Sequence, residues 1–329
     1  MKSLYKLIVI SVAMIVIGVS VSISGASTQD FGKCGICHPE VAEQYSTSLH
    51  YTWSGVEHEY AKGAGEDFGL TLPDGCRKCH TPLAECTVCH AGDPHNDGID
   101  MDTCLHCHKK RPGPNYCGKL ATHKEAEGLT PDVHYEAGMT CIDCHTADEI
   151  HGGGINQRLA IQVRCEDCHP ATTDITAHTL HEGKVDCAAC HSGWHQTCVN
   201  CHLETGKTDS STTDLFYLGM GHEGKIVPFY NMTMTHENKT VVHWVERTPH
   251  TITAEAHDCD FCHGQPERFV TADKGGKIMI DGGDFVSNDI ITKVEGEGIE
   301  TPEPFGFGCV LTMSALVVVV LVFRRARRK

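Results

Sequence analysis

Apolar positions gather at the two ends of the chain, in residues 7–23 and 307–323. Lys2 and Lys6 precede the first run and Ser24-Gly25-Ala26 follows it. A positive start, an apolar stretch and a small-residue cleavage pattern predict a secretory signal over residues 1–26, cut after Ala26. An uncleaved N-terminal anchor is the alternative, because the run is long. The second run is about 17 residues, just enough to span a bilayer. Arg324-Arg325-Ala326-Arg327-Arg328-Lys329 follows it and should stay cytoplasmic. Between the two runs the pattern predicts only short elements. Residues 63–75 are glycine-containing with no apolar period and read as a loop. After Val270 the chain turns acidic and glycine-rich and reads as an appendage or a stalk. What recurs between the ends is local: two cysteines three positions apart with a histidine directly after the second. Positions i, i+3 and i+4 share one side of a helical turn.

Nine such C-x-x-C-H units are present. They are Cys34, Cys37 and His38; Cys76, Cys79 and His80; Cys86, Cys89 and His90; Cys104, Cys107 and His108; and Cys141, Cys144 and His145. Then come Cys165, Cys168 and His169; Cys187, Cys190 and His191; Cys198, Cys201 and His202; and Cys259, Cys262 and His263. The spacing suits covalent haem attachment: each thiol adds to a vinyl group, and the histidine reaches the iron as proximal ligand. A zinc site would need paired knuckles rather than a histidine after every second cysteine. Nine covalently bound haem c groups are therefore expected. The 187–191 and 198–202 units are six residues apart and should hold their porphyrins close together.

Composition agrees. Aromatic residues are only 6%, against 20 cysteines and 24 histidines, so a side-chain core would be thin and porphyrins must supply much of the buried apolar surface. The expected fold is mainly α with extensive loops, a multihaem cytochrome c wrapped around a haem stack, with little β. The expected divisions are an eight-haem region over 27–205 and a haem-poor insertion plus the ninth haem over 206–270. An acidic stalk or appendage covers 271–303, and a transmembrane or sorting anchor covers 304–329. Free thiols in this number would scramble in an oxidising compartment unless consumed by attachment. Asn231-Met-Thr and Asn238-Lys-Thr are glycosylation sequons and read as an exposed loop in the haem-poor interval.

Nine of the 24 histidines are proximal, which leaves 15 for nine distal positions. Every iron could then be bis-histidine and six-coordinate, closed to substrate and suited to outer-sphere electron transfer. The favoured distal set is His50, His95, His134, His151, His178, His181 and His250. His178 and His181 share a helix face but diverge enough to serve two haems. The reserves are His58, His123, His195, His222, His243 and His257. His106, inside the 104–108 unit, reads as a surface residue.

The stretch from Cys34 through Tyr45, Ser48 and His50 resembles the opening of multihaem cytochromes related to hydroxylamine oxidoreductase and its tetrahaem electron acceptor. That resemblance implies a distal role for His50. Residues 132–146 resemble a recurring unit of large multihaem cytochromes, including octahaem tetrathionate reductase. Pro302-Glu303-Pro304-Phe305-Gly306-Phe307-Gly308 resembles the tripartite sorting signal of archaeal surface proteins, in which the helix is exchanged for a lipid.

Net charge is −16, which disfavours nucleic acid and suits a basic or haem-exposing redox partner. The expected function is that of a membrane-anchored, outward-facing nonahaem c-type cytochrome at the cell surface. It would relay electrons between a membrane donor and an extracellular acceptor or redox partner, with no catalytic residue of its own. One alternative is an oxidoreductase of nitrogen or sulfur oxyanions. Its open haem would be that of the 104–108 unit, flanked by Lys109, Lys110, Cys117 and Lys119. The other alternative is a subunit of a cytochrome filament.

Overall fold

The computed structural model of the chain describes residues 31–72, 85–91, 95, 98–109, 113–119, 129–154, 156–170, 175–202, 207–213, 216–247 and 249–296. The expected signal segment 1–26, the anchor 304–329 and the whole 76–80 unit lie outside them. Among the described residues, no helix is long and apolar enough to cross a membrane. The chain forms two compact units, one of residues 1–114 and 134–171, the other of residues 115–133 and 172–329.

In the first unit, short helices follow one another with little regular structure between them. Four C-x-x-C-H motifs here lie in short helical segments: Gly32–Cys37, Met101–His108 and the 3-10 turns Cys86–Val88 and Cys141–Asp143. A fifth starts the turn Cys165–Asp167. Local polar groups build these turns. Asp100 Oδ1 accepts the Thr103 N–H at 2.8 Å, which satisfies an orphan donor at the helix start. In the 3-10 turns the aspartate before the second cysteine reaches back instead: Asp143 accepts the Thr140 N–H at 2.7 Å and Asp167 the Arg164 N–H at 2.9 Å. Long-range ties are polar as well, including Ser54 Oγ donating to the Gly154 carbonyl at 3.1 Å and Asn156 Nδ2 to Glu59 Oε1 at 2.8 Å. Its buried apolar side chains among the described residues are Tyr45, Trp53 and Ala64.

The second unit overturns the expectation of little β. It contains a six-stranded mixed sheet of β1 (His195–His202), β2 (Lys207–Thr213), β3 (Tyr217–Met220), β4 (Ile226–His236), β5 (Lys239–Glu246) and β6 (Lys277–Ile278). The order is β2-β1-β4-β5-β6, with β3 also on β4; β1–β4 and β5–β6 are parallel and the other pairs antiparallel. The reason lies in residue type. Strands β4 and β5 are rich in valine, threonine and aromatic residues, which favour a pleated surface. Glu237 and Asn238, at φ 45° and 64°, close them with a two-residue turn. The haem-poor interval is thus largely sheet. Sequon residue Asn231 sits on β4 opposite Trp244, and Asn238 is exposed in the hairpin turn.

The sheet carries a true side-chain core. Phe216, Leu218, Ile226, Phe269 and Val286 form one buried cluster, and Val227, Phe229, Trp244, Val270 and Ile280 another. Gly219 on β3 is held to glycine by close approach, since a Cβ there would meet the Phe229 ring at 2.5 Å. The acidic segment after Val270 packs onto this core. Val286 N–H donates to the Val270 carbonyl at 2.7 Å, and Ile290, Ile291 and Val294 of the helix Asn288–Gly296 cover the first cluster. Phe229 is fully buried, so Phe229→Ala should cost about 3–5 kcal/mol in chemical denaturation followed by amide exchange in β4 and β5.

Two further motifs flank the sheet on the helices Cys187–His191 and Cys259–His263, capped by Asp186 and Asp258. The unit 198–202 departs from the helical expectation: it lies on β1, with an irregular register between Cys198 and Asn200.

Candidate functional site

Among the described residues, six motif histidines each have their ring near that of one histidine from outside the motifs. In the first unit the ring centroids of His38 and His95 are 6.2 Å apart, those of His90 and His151 6.2 Å, those of His108 and His50 6.3 Å and those of His169 and His134 5.8 Å. In the second unit His191 faces His178 at 6.3 Å and His263 faces His181 at 6.0 Å. Ordinary aromatic pairs scatter over about 4.5–7 Å and show no regard for sequence role. These six fall within 0.5 Å of one another, the extremes being 5.8 and 6.3 Å, and always join one motif histidine to one non-motif histidine.

The separation has a chemical meaning. A metal held about 2 Å from each of two imidazole nitrogens, with each ring centroid about 1.1 Å behind its nitrogen, sets the centroids about 6.2 Å apart. Among the described residues, no group of three or more His, Cys, Asp or Glu side chains is placed to hold a metal. Two imidazoles at this separation could hold a haem iron between them, with the motif thiols tethering the porphyrin. Cys34, Cys37, Cys86, Cys89, Cys104, Cys107, Cys190, Cys259 and Cys262 form no disulfides, so their thiols could tether such a group. Burial pushes the His50 imidazole below its ordinary pKa, and burial followed by the neighbouring His90 does the same to His151. Both shifts favour the neutral ring, the form that binds metal. The residues therefore fit covalently attached haem.

Motifs also lie against one another inside each unit. The Cys86 thiol has its pKa raised by burial and then by Cys34, which is in hydrogen-bonding range. That of Cys89 is raised by burial and then by Cys104 and Cys107. In the second unit burial, and after it Cys190, pushes Cys262 up to about 12. The cysteines of the 34–38, 86–90 and 104–108 motifs thus form one neighbourhood, and those of 187–191 and 259–263 another.

The other singled-out residues fall elsewhere. His145 hydrogen-bonds to Glu149, a residue that motif spacing gave no cause to notice. His250 lies half-buried at the bend after β5. His222 bonds through Nδ1 to the buried Glu246 at 2.9 Å, His243 is buried in β5, and His58 sits on the helix Ser54–Tyr60. His257 stacks on Phe261 at 3.7 Å, with the Arg268 guanidinium carbon 3.8 Å from the same ring. His106 is exposed. His80 and His123 lie outside the described residues. Of His195, Cys198, Cys201 and His202 only the backbone, on β1, is described. Lys109 is exposed at the end of the helix Met101–His108, Cys117 is half-buried and Lys119 exposed, while Lys110 lies outside the described residues. Sequence spacing alone could have flagged Tyr45 only through its flanks; its ring lies 5.7 Å from that of His151. No protein-family model, no curated protein and no solved structure matches the chain.

Proposed function

We propose that the chain is a nonahaem c-type cytochrome that relays electrons on the outer side of the membrane, held there by its C-terminal apolar segment. The observation that carries this is the set of six imidazole pairs at 5.8–6.3 Å, each joining a C-x-x-C-H histidine to a histidine from elsewhere. Paired imidazoles support closed, six-coordinate irons, which exchange electrons without binding substrate. The chain's own residues then tether the haems, fix the axial ligands and exclude water, while the haem supplies the one-electron chemistry. Donor and acceptor are redox partners; the acidic surface favours a basic or haem-exposing one.

The His50 imidazole opposite His108 bears on the alternative of an open haem at the 104–108 motif, because it supports closure of that iron. Carbon monoxide titration of the fully reduced protein tests the two readings. A carrier with closed irons binds well under one equivalent. Binding of a full equivalent would favour an oxidoreductase.

A further inference from the structure

The histidines of three motifs differ in what their second ring nitrogen touches. His145 Nδ1–H donates to Glu149 Oε1 at 2.6 Å. His191 Nδ1 faces only the Thr253 carbonyl at 3.3 Å, and His263 Nδ1 is buried without an acceptor. Glu149 is built into place. Its side chain is 9% exposed, and its N–H bonds to Thr146 Oγ1 at 3.2 Å in the cap of the helix Ala147–His151. Its other oxygen, Oε2, accepts the Gln162 N–H at 3.0 Å and the Val163 N–H at 3.4 Å. One carboxylate oxygen is thus committed to the backbone and the other to the imidazole.

We propose that Glu149 lowers the potential of the haem attached at Cys141 and Cys144 below those of the haems at the 187–191 and 259–263 motifs, an inference that rests on the cytochrome reading above. An N–H bonded to a buried carboxylate makes the imidazole a stronger electron donor to the iron. Such a ligand stabilises the ferric state over the ferrous. Reduction adds one electron to that iron, supplied by a redox partner or an electrode, and breaks no bond. Burial limits the screening of the carboxylate charge, so its influence on the iron is larger than that of a surface acid. This haem is therefore harder to reduce than those at the 187–191 and 259–263 motifs.

Spectroelectrochemistry of the intact protein tests this in Glu149→Gln and Glu149→Ala, with Glu136→Gln as a control that removes an exposed charge from the same unit. Both Glu149 variants should raise the equilibrium constant of one one-electron step about tenfold, or 59 mV for a one-electron couple. The control should change it less than twofold. A curve in which no step moves twofold or more in either Glu149 variant, with nine haems counted by mass, overturns the inference. So does a uniform shift of the whole curve. If the peptide containing Cys141 and Cys144 carries no haem, the cytochrome reading itself fails at that motif, which mass spectrometry distinguishes directly.

Discussion

Replacing His178 by alanine should turn one low-spin iron high-spin and admit one equivalent of carbon monoxide; replacing His181 should do the same at a different iron, and the double variant at two. The expectation follows from the helix Thr176–His181, which points one imidazole at His191 and the other at His263. Residues three apart share a helix face but differ in azimuth by about 60°, so one short helix can serve two centres. His181 is additionally fixed by its Nδ1, which bonds to the Ala177 carbonyl at 2.8 Å and leaves the other nitrogen for the metal. Electron paramagnetic resonance of the oxidised variants reads the spin change. Wholly low-spin spectra from both single variants would remove these residues from the ligand set.

Loss of haem should divide the molecule. When the motif cysteines are replaced by serine, the second unit should keep protected amides in β3, β4 and β5, and the first should lose protection throughout. The second unit has its own buried clusters around Leu218 and Phe229, whereas the described part of the first buries little apolar side chain beyond Tyr45, Trp53 and Ala64. At about 25 cal/mol per Å², three such side chains fall far short of the entropy cost of ordering the unit, about 1–2 kcal/mol per residue. Hydrogen exchange followed by mass spectrometry measures both units at once. Equal protection in the two would show that bound groups are not the core of the first.

The pattern of thiols and histidines was legible because attachment chemistry fixes a short spacing. The pairing was not. His134 and His151 bracket the 141–145 motif in sequence, yet the fold sends them to His169 and His90. His95 reaches back to His38, and His50 forward to His108. Which histidines meet is set by tertiary packing, and sequence distance carries no record of it. The sheet was missed for another reason. An interval without cysteines but with two sequons reads as loop, although 226–236 and 239–246 are rich in strand formers around a two-residue turn. Glu149 stayed hidden because an acid four residues after a histidine is ordinary on any helix, and only its burial distinguishes it.

The segment 115–133 interrupts the first unit and belongs to the second. Its anchors come late: the Thr130 carbonyl accepts from Trp194 Nε1 at 2.7 Å, and Asp132 Oδ2 from the Ile252 N–H at 2.7 Å. A chain emerging N-terminus first must therefore hold this stretch without these anchors until 64 residues have followed Thr130 and 120 have followed Asp132. Contacts of such long sequence separation close slowly, because loop entropy is spent before they form. The two units are interleaved along the polypeptide, and no single cut separates them whole.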